Sequence, residues 1–426
     1  MTGEATVSAP RDGARKAIAA AVFGNVLEWY DFAVYAYLAT ILATQIFPAE
    51  DEATALLTTF AAFGVGFVAR PLGAIVIGRL GDRRGRKVAL ITSIYLMAFG
   101  TVLIGVVPSF ATIGVAAPIV VVIARLIQGF SAGGEWGGST AFIVEWAGPK
   151  RRGLLGSLQQ VSVAAGLLLG SGIAALFSTV LAPEAMESWG WRVPFLLGGL
   201  IGFVGIYMRR NIDETPAFRD AANAPTSVSS AEPGAPLAAR AFGFTILWTV
   251  SYYIFLSYMP TFAQRHLDLT RTDALWSNTI GLLVLVLVVP LFGHLSDRIG
   301  RKPLLLLCCL GFVVLPYPLF SAMLGGMPLA TIMLIQVLFA VMIAMFSGPG
   351  PAAISEIFAT RGRTTWMSIG YALAVAIFGG FAPFFATWLI ETTGSPISPV
   401  FYVIAAAIIS AGVILTLKET AHAPLR

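Results

Sequence analysis

The motif Gly-x-Leu-x-Asp-Arg-x-Gly-Arg-Lys occurs twice, at 78–87 and again at 293–302, half the chain apart. Each copy lies between two long apolar runs. A short charged cassette repeated at that spacing points to a duplicated membrane unit whose two halves move against each other.

Composition decides what kind of unit this is. Hydrophobic residues make up 57% of the chain and charged residues only 12%, against roughly 25% charged in a soluble domain. No water-soluble fold of this length hides so much apolar surface, and the apolar stretches reach roughly 20 residues or more, which selects α-helices over short alternating β-barrel strands. The first stretch, starting near Ala17, runs on without a small-residue cleavage site and reads as a retained helix. The net charge of +5 sits in the loops between apolar runs, so it describes topology and a lipid bilayer as partner, with no nucleic acid expected. Cys308 and Cys309 are adjacent inside an apolar run and read as packing residues. There is no Walker loop, nucleophile motif or metal-spaced histidine cluster, since His266, His294 and His422 fall in loops or at the terminus. The chain is therefore expected not to be an enzyme and to carry no cofactor or metal.

Hydropathy and helix breakers predict an all-α membrane protein with twelve transmembrane helices, at about 17–45, 54–78, 88–108, 113–146, 154–182, 190–208, 241–262, 274–295, 304–324, 328–357, 366–392 and 397–417. Basic residues precede span 1 (Arg11, Arg15, Lys16) and follow the even-numbered spans, as with Lys150, Arg151 and Arg152 after span 4. The intervening loops are acidic or neutral, with Arg265 and Arg271 as the main exceptions. The positive-inside rule then places both termini in the cytoplasm and the chain, crossing many times, in the inner (plasma) membrane. Residues 209–240 are polar and rich in Ala, Ser and Pro, a composition that cannot build a core. The expected organisation is an N-terminal six-helix bundle (1–208), a cytoplasmic linker (209–240) and a C-terminal six-helix bundle (241–426).

Five ionisable side chains fall inside spans and away from the loops, all in the first half: Glu28, Asp31, Arg70, Arg125 and Glu135. Each costs at least about 2.5–3.5 kcal/mol at a helix centre, so each requires a partner or water. Asn25, Glu28, Asp31 and Tyr35 recur at helical spacing and put a polar stripe on one face of span 1. Burial favours the neutral form of a carboxyl and an Arg partner the charged form. Three acids set against two bases can therefore take up and release a proton. Static ion pairs that glue helices are the alternative for any single residue. The cassettes carry a second expectation: Asp82, Arg83 and Arg86, matched by Asp297, Arg298 and Arg301, form a cytoplasmic gate with the related elements Glu145/Arg152 and Glu356/Arg361.

The two cassettes resemble the signature loops of the major facilitator superfamily, and the run Arg125, Leu126, Ile127, Gln128, Gly129 resembles its helix-4 motif. Segments 24–32 (GNVLEWYDF), 70–73 (RPLG), 129–138 (GFSAGGEWGG) and 189–195 (WGWRVPF) resemble the metabolite:proton symporter family within it. The resemblance implies two pseudo-symmetric six-helix bundles, alternating access and proton symport. It implies that Asp31 pairs with Arg125 and takes the proton, with Glu28 and Glu135 tuning or relaying it. Arg125 is the expected ligand of a substrate carboxylate, with Arg70 a weaker candidate that can equally snorkel; Asn25, Tyr30, Gln128, Tyr252, Tyr253 and Gln336 are the further expected substrate contacts. Trp248 and Tyr258 share helix 7 with the tyrosine pair, and an aromatic stripe of that kind also serves packing.

Members of that family carry either organic acids or zwitterionic osmolytes. The osmolyte branch bears a long charged C-terminal extension, and this sequence stops shortly after span 12, so the expected substrate is a small organic anion such as a di- or tricarboxylate or a shikimate-like acid, carried with protons by a monomer. A proline- or betaine-type zwitterion symporter is the alternative, since a cavity with excess acid also suits a substrate cation. A solute sensor that binds without transporting is disfavoured because no soluble output domain accompanies the spans.

Overall fold

The computed structural model describes residues 11–84, 86–133, 135–148, 150–210, 234–358, 363–421 and 423. Among them there is no β-strand. In chain order the helices are α1 (Arg11–Tyr37), α2 (Ala39–Gln45), α3 (Glu52–Val68), α4 (Arg70–Arg84), α5 (Arg86–Val106), α6 (Ala116–Ser131), α7 (Glu135–Trp146), α8 (Arg152–Val180), α9 (Arg192–Arg210), α10 (Ala235–Tyr253), α11 (Met259–His266), α12 (Arg271–Ile299), α13 (Arg301–Val314), α14 (Pro316–Leu324), α15 (Leu329–Ser347), α16 (Gly350–Glu356), α17 (Arg363–Ala374), α18 (Ala382–Thr393) and α19 (Ser398–Thr416). Eight helical segments are long and apolar enough to cross a bilayer. Two bent pairs, α1/α2 and α13/α14, raise the number to ten when each is taken as one span, and the shorter apolar helices Ala116–Ser131 and Arg192–Phe203 fall at the two remaining expected spans.

Several expected spans prove to be broken. Span 1 turns by 62° at Leu38. Span 9 turns by 40° at Leu315, where Pro316 has no N–H to continue the ladder. Span 4 divides around Ala132 and Gly133 into α6 and α7. The two edges of the linker are helical: α9 runs to Arg210 and α10 begins at Ala235, with Pro236 in its first turn. Residues 211–233 lie outside the described residues.

Lipid tails are as apolar as leucine, so close packing and satisfied polar groups hold such helices together. On α12, Leu283, Leu287 and Leu291 recur every four residues and are 47%, 63% and 65% exposed, marking its lipid face. By contrast, 94% of the apolar window of Ala235–His266 is buried. That span is the centre of the molecule. It contains a π-turn at Ile254–Tyr258 followed by Pro260, whose missing N–H frees the Leu256 carbonyl. Tyr37 of α1 donates its hydroxyl to that carbonyl at 2.9 Å, which satisfies it and ties the first half of the chain to the second.

The most extensive helix pairing is α8 against α12, again between the halves. At one end of it the backbones touch: a Cβ added at Gly293 would lie 2.7 Å from the Gly153 carbonyl oxygen. Glycine at both positions lets α8 and α12 approach closely enough to bring the second cassette onto the start of α8.

Candidate functional site

Ion pairs close the end of the molecule that carries the Arg-rich loops, here the basic end. Asp297 accepts from the backbone N–H groups of Gly153 (2.8 Å) and Leu154 (2.9 Å). Its carboxylate therefore caps the positive N-terminus of α8 from across the two halves. Arg152 pairs with Glu356 at 3.1 Å, and Arg301 bridges Asp297 at 2.8 Å and Glu356 at 3.4 Å. Residues beyond α19 complete the network. Thr420 donates to Glu356 (2.6 Å), and the Ala423 carbonyl accepts from Arg152 (3.0 Å). Glu419 accepts from the N–H groups of Arg301 and Lys302, capping α13. Burial pushes the Glu419 carboxyl up, but these and neighbouring backbone donors outweigh it and hold it below the usual carboxylate range, so the cap is charged at neutral pH.

The opposite end is closed as well. Arg265 pairs with Glu52 and Arg271 with Glu187, both at 3.1 Å. The two exceptions to the loop-charge pattern are thus contacts between the halves. Thr272 and Trp276 add hydrogen bonds to Ser178 and Thr179, and Asp51 caps α3 through Thr54, which holds its exposed carboxyl below the usual range. With both ends bridged, the conformation is occluded.

Between the two ends lie the intramembrane charges, and their partners differ from expectation. Arg70 does not snorkel: it is buried and pairs with Glu28 at 3.2 Å, its guanidinium within 4.5 and 4.8 Å of the Phe67 and Phe32 ring centroids. Asp31 and Arg125 do not touch. Thr101 of α5 donates to Asp31 Oδ2 at 2.6 Å, Gln128 Nε2 donates to Thr101 Oγ1 at 2.9 Å, and Arg125 donates to Gln128 Oε1 at 2.9 Å. Arg125 also donates to the Phe63 carbonyl at 3.3 Å and is enclosed by the rings of Phe32, Tyr35 and Phe63 at 4.5–4.9 Å. It is fully buried, so it does not reach solvent.

Two small cavities flank α1. The first borders Asp31, Glu28, Ser93, Ser131 and Gly198 and holds about 20 Å³, the size of one water. Asp31 Oδ1 has no hydrogen-bond partner among the described residues. Gly198 makes room for it, since a Cβ there would lie 2.7 Å away. The second cavity, of similar size, lies between the halves and is walled by Trp29, Trp248, Tyr252, Tyr253 and Tyr371, with Gln160, Thr245 and Thr249 beside them. Trp136 stacks on Tyr371 behind it, with centroids 3.4 Å apart. The hydroxyls of Thr249, Tyr252 and Tyr253 are buried with no hydrogen-bond partner among the described residues. Buried polar atoms in that state, beside an aromatic-lined space, make this cavity the candidate binding site.

The expected substrate contacts therefore separate. Tyr252 and Tyr253 line the central cavity. Four others are used within the scaffold: Asn25 donates to Ser162 of α8, Tyr30 to the Pro194 carbonyl, Gln128 joins Thr101 to Arg125, and Gln336 bonds Ser277 and Asn278. Their polar groups are spent on helix contacts, so they are not free for a ligand. Of the residues expected to form a gate, Arg152, Asp297, Arg301 and Glu356 lie in one ion-pair network, whereas Arg83 and Arg298 are exposed and have no ion pair among the described residues. The side chains of Asp82, Arg86, Glu135 and Glu145, and the whole of Arg361, lie outside the described residues. Thr101, Trp29, Tyr371 and the Glu419–Ala423 segment escaped the sequence reading. Thr101 is a lone hydroxyl in an apolar run, and only its position opposite Asp31 distinguishes it.

Residues 16–224 match a family model described as sugar (and other) transporter, and residues 241–426 match the model of the Major Facilitator Superfamily. A glycine betaine/proline/ectoine/pipecolic acid transporter of Dickeya dadantii (strain 3937) is 34% identical over 97% of this chain and 85% of its own length. A proline/betaine transporter of Escherichia coli (strain K12) is 33% identical over the same shares. Among solved structures, the crystal structure of a D-xylose-proton symporter superposes with a TM-score of 0.78 at 19% identity, covering 97% of this chain and 100% of that one. A partially occluded, inward-open xylose transporter from E. coli gives 0.76 at the same identity and coverage.

Proposed function

This chain belongs to the major facilitator superfamily and is a multi-pass membrane transporter, and we propose that it couples protons to the import of a zwitterionic osmolyte of the proline or betaine type. The observation that carries this reading is the aromatic cavity between the halves. Its walls are two tryptophans and three tyrosines, and no cation among the described residues lines it; in this closed form it holds only about 20 Å³, so a substrate enters it when the halves part. Aromatic faces attract a quaternary or secondary ammonium by about 0.5–2 kcal/mol each when desolvated, and the unpartnered hydroxyls of Thr249, Tyr252 and Tyr253 suit a carboxylate. The names of the two relatives support the same class.

An organic acid fits less well. Such a substrate needs a free cation, and the two arginines expected inside the spans, Arg70 and Arg125, are engaged: Arg70 by Glu28, and Arg125 by Gln128, the Phe63 carbonyl and three rings. The expectation of an organic acid gives way to the chemistry of the cavity.

In the proposed cycle Asp31 carries the proton and the aromatic cavity carries the substrate. The two halves, 1–208 and 241–426 joined by 209–240, rock about that centre. The contacts at the basic end, which we assign to the cytoplasmic face of the plasma membrane with both termini, alternate with those at the opposite end. One chain holds both sites, so a monomer suffices.

The reading predicts that glycine betaine or proline raises the melting temperature of the purified protein while citrate and shikimate do not. Trp248→Leu should weaken betaine binding by roughly tenfold, the loss of one desolvated cation–π contact of about 1.4 kcal/mol. Stabilisation by citrate or shikimate with none by betaine would overturn the assignment.

A further inference from the structure

The proton site and the substrate cavity lie on different faces of α1. Gly24, Leu27, Glu28 and Asp31 border the water-sized cavity toward α5, α6 and α9, while Trp29 borders the aromatic cavity toward α8 and α10. A proton on Asp31 therefore cannot act on the substrate by contact. Coupling requires an element with two arrangements that Asp31 selects.

We propose that the Thr101 hydroxyl is that element, a positioning residue that passes the protonation state of Asp31 to Arg125; this rests on the symport reading above. Thr101 Oγ1 lies 2.6 Å from Asp31 Oδ2, 2.9 Å from the Met97 carbonyl and 2.9 Å from Gln128 Nε2. It has one proton to give and two acceptors for it. When Asp31 is charged, Thr101 donates to the carboxylate and accepts from Gln128, whose Oε1 holds Arg125. The negative charge then anchors the line Asp31, Thr101, Gln128, Arg125 through charge-assisted bonds. When Asp31 takes a proton, its new O–H donates to Thr101 Oγ1, and the Thr101 proton rotates to the Met97 carbonyl. Every group keeps a partner, but the line has lost its anion and Arg125 is held less firmly.

Arg125 is the link to the substrate side. It packs on Phe32 and Phe63 and bonds the Phe63 carbonyl of α3. Phe63 and Phe67 in turn meet Tyr253, with centroids 6.1 and 5.5 Å apart, and Tyr253 is a wall of the aromatic cavity. The charged groups near Asp31 are Glu28 on its own helix, Arg70 of α4, which Glu28 pairs, and Arg125 of α6. From α5 and α9 it faces neutral groups, Thr101, Ser93, Gly198 and Gly202, and α8 meets the other side of α1 through Gly166 and Gly170. The side chain of Glu135 lies outside the described residues.

The test compares wild type, Thr101→Val and Thr101→Ser in proteoliposomes, reading glycine betaine counterflow, accumulation under a pH gradient, and protons moved per substrate. Thr101→Val removes the hydroxyl at constant shape. Counterflow should stay within about twofold, while accumulation per pH unit falls roughly tenfold, the equivalent of one proton uncoupled. The pH profile of uptake should move to alkaline values as the carboxylate loses its donor, and Thr101→Ser should restore all three readouts. Should the Val variant not fold, Gln128→Met, which breaks the same line at its next member, is expected to uncouple in the same way. A folded Thr101→Val or Gln128→Met protein with the wild-type proton ratio and pH profile overturns the inference. A wild-type protein that shows no gradient-driven accumulation of any osmolyte overturns the symport reading instead.

Discussion

Asp31→Asn is expected to abolish accumulation of substrate against a gradient while leaving counterflow intact. The variant keeps a carbonyl oxygen to accept from Thr101, so the 2.6 Å contact and the packing under Gly198 survive. It removes only the ability to gain and lose a proton. One proton per substrate lets a pH difference of one unit support roughly tenfold accumulation, and Asp31→Asn should bring that ratio to unity at every imposed gradient. Glu28 is not expected to replace it, because Arg70 holds it in a buried pair at 3.2 Å. Asp31→Asn vesicles that still concentrate substrate would move the proton site elsewhere.

The gate makes the second large prediction. Glu356→Ala leaves Arg152 with only the Ala423 carbonyl and takes one of two anions from Arg301. Removing one partner of a buried ion pair costs about 3–5 kcal/mol, mostly the penalty of the charge left behind. That energy is lost from the closed basic end alone, so opening there should rise by about a hundredfold or more. Ser157, buried on α8 against Gly293, is the reporter. In a background lacking Cys308 and Cys309, a cysteine at 157 should react with a polar maleimide far faster once Glu356 is replaced. Equal labelling with and without Glu356 would show that the network is only a surface cluster of charges.

Both predictions depend on contacts that the sequence discloses unevenly. Depth was legible: each expected span overlaps an apolar helix, eight of them long enough to cross and two more as bent pairs, and the repeated cassette picked out Asp297 and Arg301, while the related Glu/Arg elements picked out Arg152 and Glu356. Azimuth was not. The stripe Asn25, Glu28, Asp31, Tyr35 reads as one polar face, yet its members reach four different helices, at Ser162, Arg70, Thr101 and Thr59. A periodicity argument fixes the side of a helix within a broad arc, and in a bundle that arc meets several neighbours. Hence cost placed Asp31 and Arg125 among five intramembrane charges and the family resemblance singled them out, whereas the Thr101 and Gln128 bridge between them required the fold. Trp29 and Tyr371 were missed for the same reason. Each is one aromatic among many, and what marks them is the shared cavity.

The central claim is that a zwitterion and a proton cross together, one in the aromatic cavity and one on Asp31. Such a pair carries net positive charge, whereas a monocarboxylate moving with one proton carries none. The most direct measurement is therefore uptake of labelled glycine betaine, proline, citrate and shikimate into proteoliposomes under an inside-negative potential with no pH difference. A potential of 100 mV supplies about 2.3 kcal/mol per charge, enough for roughly fiftyfold accumulation. Betaine or proline should accumulate and acidify the lumen, and citrate and shikimate should not. Potential-independent uptake, or accumulation of the carboxylates in place of the zwitterions, would contradict the account.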